Sequence, residues 1–172
     1  GSRSQEINSM LPIFLTLKKH FLNYEFIVAG VKNVNESVYQ SALDLDVKVL
    51  YNQTYDLLSH STIAIVTSGT ASLECALFNV PQIVCYKTSS VSYFIGKSFV
   101  NISFISLVNI ILKKGIVKEL IQENLTEDRL LNELSNLLSG NRISDMLGEY
   151  SKIYSMLSLK GTSKKIANSI IK

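Results

Sequence analysis

The sequence has little of the chemistry that holds metals, disulfides or nucleic acids. Its 172 residues include two cysteines and two histidines. Cys75 and Cys85 each sit inside an apolar pattern, which predicts reduced core residues and no disulfide framework. His20 and His60 stand alone, without metal-ligand spacing, so no metal site is expected. No RNP-like, zinc-finger or basic-region pattern occurs. A net charge of +3 and a pI near 8.8 do not by themselves call for nucleic acid, and no such partner is expected. There is no G-x-x-x-x-G-K-[ST] and no G-x-G-x-x-G, which removes the Walker loop and the dinucleotide fingerprint. No secretory pattern opens the chain, so the N-x-S/T matches at Asn35, Asn52, Asn101 and Asn124 are read as coincidental. The most membrane-like stretch, Val91 to Leu112, is broken by Lys97, Asn101 and Asn109 and is not expected to span a bilayer.

What is present is a globular domain's composition, 47% hydrophobic and 18% charged. A mean hydropathy of +0.21 is high and predicts that some apolar surface meets a partner or a membrane. Strand and helix patterns alternate from the start. Ser4 to Leu22 reads as a helix, with Ile7, Leu11, Phe14 and Leu15 at helical spacing. Tyr24 to Gly30 reads as a buried strand, Glu36 to Leu45 as a weaker helix, and Val47 to Tyr51 as a second strand. A short helix from Thr54 leads to a third strand, Thr62 to Thr67. Ala71 to Phe78 follows as a helix, and Pro81 to Tyr86 as a fourth strand. Beyond Tyr86 the expected helices are Val91 to Phe99, Thr126 to Leu138 with Thr126 as cap, Ile143 to Leu157 and Ser163 to Ile171. Short connections and nearly all-apolar strands imply parallel pairing with both sheet faces covered. The fold class expected is α/β: a Rossmann-like parallel sheet with helices on both faces, followed by C-terminal helices.

The junction TSGTASLECALFNVPQIVCY, Thr67 to Tyr86, concentrates the candidate chemistry. Ser68, Gly69, Thr70 and Ala71 are small, and Glu74 is the one acid in the first turn of the expected helix. Ligands of open α/β sheets sit beyond the carboxyl ends of the strands. Small residues there admit a ligand to the backbone, and the helix start favours an anion. The pattern fits a diphosphate seat. It equally fits Ser68 and Thr70 as plain helix caps with Glu74 as a solvated acid.

The flanking motifs add weight. GSRSQEI with MLPIFL, then NQTYDLLSHSTIAIVTSGTASLECALFNVPQIVCYKTSSVSYFIGK, ISLVNIIL and VKELIQENLT occur in one order over nearly the whole chain. In these motifs the chain resembles the lipid-A-disaccharide synthase family, specifically its C-terminal, nucleotide-sugar-binding half. The NQTYDLL variant resembles the Bacteroidetes-type branch. The resemblance implies half of a GT-B glycosyltransferase fold: residues 1–140 as a UDP-sugar-binding Rossmann-like domain, and residues 141–172 as C-terminal helices. Those helices are expected to pack on the domain, on the other half or on a partner chain, including a homodimer mate. It implies an inverting transfer from UDP-2,3-diacylglucosamine to 2,3-diacylglucosamine 1-phosphate, with no bound metal and no cofactor, in the cytoplasm or at the inner membrane surface. It implies UDP-binding roles for Arg3 at the phosphates, Ser68, Gly69 and Thr70 in the diphosphate turn, Glu74 at the ribose, and Asn109 near the donor. Gln122 also matches, with no role named. Val108 stands where the family usually has proline. No residue fits the general base, which the family carries in its other half. Gly1 and Ser2 fit the motif as native residues.

Two alternatives stay open: a stand-alone UDP-binding subunit of a two-chain glycosyltransferase, and a UDP-sugar 2-epimerase-like isomerase. A lipid-handling family with Tyr93, Phe94, Ile95 and Phe99 around Lys97 also suggests a membrane-facing patch.

Overall fold

The computed structural model describes residues 3–67, 69–88, 104–140 and 142–158. The expected helices at Val91 to Phe99 and Ser163 to Ile171, the Tyr93–Phe99 patch, Gly1, Ser2 and Ser68 lie outside them. The elements in order are α1 (Ser4–Leu15), β1 (Ile27–Gly30), α2 (Gln40–Leu43), β2 (Lys48–Tyr51), α3 (Thr54–His60), β3 (Ala64–Thr67) and α4 (Thr70–Leu77). They continue with β4 (Gln82–Tyr86), α5 (Leu107–Leu112), β5 (Lys118–Ile121), α6 (Glu127–Leu138) and α7 (Ile143–Leu157).

All strand pairing among the described residues is parallel, in two ladders. One pairs β1 with β2, and the other runs β3-β4-β5. The Rossmann-like α/β expectation therefore holds, with the hydrogen bonding divided into two pieces. β4 is the centre of its ladder, and Gln82, Ile83, Val84 and Cys85 are all buried. That is the pattern of a strand covered on both faces. Helices α4, α5 and α7 pack on one another, and α1 packs on α6.

Helix α1 joins two cores. Ile7, Leu11 and Leu15 pack with Tyr39, Ala42 and Val47 beside the first ladder. Met10 belongs to the large cluster of β4, β5, α6 and α7. Periodicity put this helix out to Leu22, but the α-helix ends at Leu15 and tightens into a 3-10 turn, Thr16–Lys19. Pro12 cannot donate within the helix, and the Thr16 hydroxyl donates back to the Ile13 carbonyl at 2.8 Å. The Glu36 to Leu45 helix is likewise half 3-10, Glu36–Tyr39, with the Asn35 side chain accepting from Ser37 N–H. Thr126 caps α6 as expected, and α7 runs over the expected residues. β5 and α5 were not foreseen.

Cys75 and Cys85 are free and buried, and burial pushes both thiols up to about 12, where little reactive thiolate forms. A second buried polar group ties three elements together. The Gln82 amide donates to the Ser72 carbonyl at 2.9 Å and to the Tyr150 hydroxyl at 3.0 Å. Burial pushes the Tyr150 phenol well above its usual range. Tyr150→Phe should therefore cost about 1 kcal/mol, one neutral hydrogen bond. Tyr150→Ala should cost ~3–5 kcal/mol by opening a cavity. Urea unfolding of both variants checks this; equal costs would show that loss of the ring opens no cavity and that its packing contributes nothing beyond the hydroxyl.

Candidate functional site

The site is built where β3 gives way to α4. The helix starts at Thr70, one residue earlier than the periodicity placed it, so Glu74 is its fifth residue and no acid lies in its first turn. The residue before it, Gly69, has φ +90° and ψ −145°, a conformation that only glycine adopts without strain. Among the described residues no side chain caps α4. Thr70, read above as a cap candidate, is instead the first helical residue and is exposed. Among the described residues, no heavy atom lies within 4 Å of a Cβ built at Gly69. The first-turn N–H groups of α4 have no side-chain acceptor among the described residues.

A second helix start lies beside the first. Gly69 forms a parallel bridge with Ser106, the N-cap of α5. Ser72, fully buried, links them further: its hydroxyl donates to the Gly69 carbonyl at 3.0 Å and accepts from Leu107 N–H at 3.1 Å. Sequence reasoning passed over both serines. Their signal, a small polar residue at each helix start, is too common to single out.

Asn109 is 1% exposed, and its amide is fully used inside the protein. Its Nδ2 donates to the Val117 carbonyl at 2.9 Å and to Glu119 Oε1 at 2.8 Å. Its Oδ1 accepts from Ile116 N–H at 2.8 Å and Val117 N–H at 3.0 Å. That exhausts an amide's four places. Asn109 holds the loop between α5 and β5 and has no atom to spare for a ligand in this arrangement. Gln122 gains a role here. At φ +52°, just past β5, its Oε1 accepts from Thr88 N–H at 2.9 Å and its Nε2 donates to the Thr88 carbonyl at 3.2 Å. It pins the chain leaving β4, next to the β3–α4 turn.

Glu74 is half-buried and makes no hydrogen bond or ion pair among the described residues. Arg3 is the N-cap residue of α1, its side chain 79% exposed, with one long contact to Glu6 at 3.4 Å. Among the described residues Arg3 makes no hydrogen bond to the other candidates. Helix α1 is nonetheless tied to this end of the sheet, because the Ser9 hydroxyl donates to the Lys87 carbonyl at 3.3 Å. A cleft by Gln82, Lys118, Glu133 and Arg142 lies at the opposite, amino ends of β4 and β5. There Glu133 pairs with both Lys118 at 3.0 Å and Arg142 at 3.2 Å, one carboxylate shared between two cations. Among the described residues no group of His, Cys, Asp and Glu could hold a metal ion.

A parallel α/β domain with a glycine-opened helix start at a strand's carboxyl end belongs to the open-sheet class whose ligand crevices lie at those ends. Comparison with known proteins narrows the class. A family model described as lipid-A-disaccharide synthetase matches residues 1–169. The chain is 31% identical over 182 residues to a lipid-A-disaccharide synthase of Persephonella marina, covering 99% of this chain and 48% of that protein. It is 33% identical over 166 residues to the enzyme of that name from Psychromonas ingrahamii, covering 91% and 43%. With that of Nitrosococcus oceani it shares 32% identity over 145 residues, covering 80% and 38%. The chain belongs to the lipid-A-disaccharide synthetase family. It spans about half the length, or less, of these curated relatives.

Asn109→Ala should cost at least about 2 kcal/mol, because it strands the Ile116 and Val117 N–H donors under cover. Denaturant unfolding measures it. A cost of a few tenths would mean that water replaces the amide and that the loop is not held by it.

Proposed function

We propose that this chain is the donor-binding half of a lipid-A-disaccharide synthase, an inverting glycosyltransferase. The reaction joins UDP-2,3-diacylglucosamine to 2,3-diacylglucosamine 1-phosphate and releases UDP. One observation carries the reading: a helix start opened by Gly69 at φ +90° and without a side-chain cap among the described residues, in a chain of this family. In this reading the α4 amides meet the diphosphate, whose charge they offset as it leaves. Thr70 and Ser68 line the turn. Residues 1–140 form the UDP-sugar domain, and residues 141–172 its C-terminal helices. The acceptor site and the general base belong to the other half, and no residue here is assigned as base.

Glu74 fits the ribose. Helical side chains lean toward the helix N-terminus, which brings this acid back over the turn. A carboxylate facing phosphates is repelled; neutral hydroxyls are donors that it can accept from. Asn109 and Gln122 shape the floor of the seat without touching the ligand. Arg3 supplies a cation able to turn to the phosphates, because its exposed contact to Glu6 contributes little. No helix among the described residues is long and apolar enough to cross a membrane. The acylated substrates favour work at a membrane surface.

Two substitutions separate the phosphate and sugar contacts. Glu74→Gln should weaken UDP binding by roughly 1–2 kcal/mol and leave pyrophosphate binding unchanged or slightly tighter. Unchanged UDP affinity by calorimetry would remove Glu74 from the ribose. Arg3→Ala should weaken UDP by about 1.5–3 kcal/mol and leave uridine nearly unaffected. Equal losses for the two ligands would place Arg3 away from the phosphates.

A further inference from the structure

Glu119, the second residue of β5, is the hub of the polar cluster beneath the proposed seat. Its carboxylate accepts four hydrogen bonds, all from the segment that opens α5. Oε2 takes Ile105 N–H at 2.9 Å. Oε1 takes Ser106 N–H at 3.1 Å, the Ser106 hydroxyl at 2.8 Å and the Asn109 amide at 2.8 Å. Helix α5 has six residues and no acid in its first turn, so a strand residue supplies the negative charge that its start favours. Bonds to a carboxylate are stronger than those to a neutral acceptor, and here they converge on one short stretch of backbone.

That stretch is what touches the turn. Ser106 bridges to Gly69, and Leu107 N–H reaches the Ser72 hydroxyl that in turn holds the Gly69 carbonyl. Two routes therefore run from the carboxylate to the one residue whose backbone opens α4. Neither route passes through a residue assigned to the ligand's phosphates or sugar.

We propose that Glu119 is a positioning residue: by fixing Ile105 to Asn109, it holds Gly69 in the conformation that presents the α4 amides to a diphosphate. This rests on the UDP-binding reading. The carboxylate touches no ligand itself. Its loss misaligns the seat for every phosphate ligand alike, and leaves contacts to the uracil and ribose in place.

The test is Glu119→Gln in the natural full-length protein. It is read by calorimetry with UDP, pyrophosphate and uridine, by melting temperature, and by amide hydrogen exchange. Gln keeps the shape but turns a donor toward either Ile105 or Ser106. UDP and pyrophosphate should each bind about tenfold more weakly, uridine no more weakly, and the Gly69 and Leu107 amides should exchange faster. If that variant does not fold, Ser106→Ala removes a single link and should weaken both phosphate ligands about threefold. A lowered melting temperature with unchanged affinity of the folded protein, or unchanged exchange at Gly69, overturns the positioning role alone. A parent protein that binds neither UDP nor pyrophosphate overturns the UDP reading, and this proposal with it.

Discussion

Backbone N–H groups at the start of a buried helix must find acceptors, and at α5 they find them in other elements. Ile105 and Ser106 donate to a carboxylate on β5, and Leu107 donates to a hydroxyl on α4. Satisfying these donors locks three elements together at the carboxyl end of the β3-β4-β5 ladder. An unmet donor there costs more than the bond itself contributes, which makes the arrangement unforgiving. The rest of the site follows from that constraint. Ser106 is brought against Gly69, Asn109 is spent on the loop before β5, and the α4 start has no side-chain cap among the described residues.

The two ends of the sheet are treated differently. At the amino ends of β4 and β5, Glu133 pairs with both Lys118 and Arg142, and the Gln82 amide bonds inward to Ser72 and Tyr150. At the carboxyl ends, among the described residues nothing lies within 4 Å of a Cβ built at Gly69, and the Glu74 side chain has no partner. The amino end carries paired charges, and the carboxyl end carries the helix start at Gly69. A ligand-binding sheet of this class needs that division.

Much of this could be read in advance, for physical reasons that differ by element. The four strands β1 to β4 are largely apolar runs bounded by turn residues, although only β4 is buried along its length and β1, expected as a buried strand, is exposed at Ile27 and Ala29. Thr126 before Glu127 and Asp128 announced α6 through local capping chemistry, which needs no tertiary context. β5 hid because it is an edge strand whose Lys118 and Glu119 are both committed to partners far away in sequence. α5 hid because six apolar-rich residues after a longer apolar stretch carry no clear period. At the site, the glycine turn was visible as a run of small residues. Asn109 and Gln122 were visible as family-like positions, but whether their amides face ligand or protein depends on loops that only the fold brings near. Glu119 carried no local signal at all.

The central claim is that a diphosphate sits on the start of α4. A crystal structure of the natural full-length protein with UDP tests it most directly. The account predicts both phosphates within hydrogen-bond distance of the Gly69, Thr70 and Ala71 amides, with the ribose toward Glu74. Phosphates bound elsewhere, with the turn at Gly69 left empty, would contradict it.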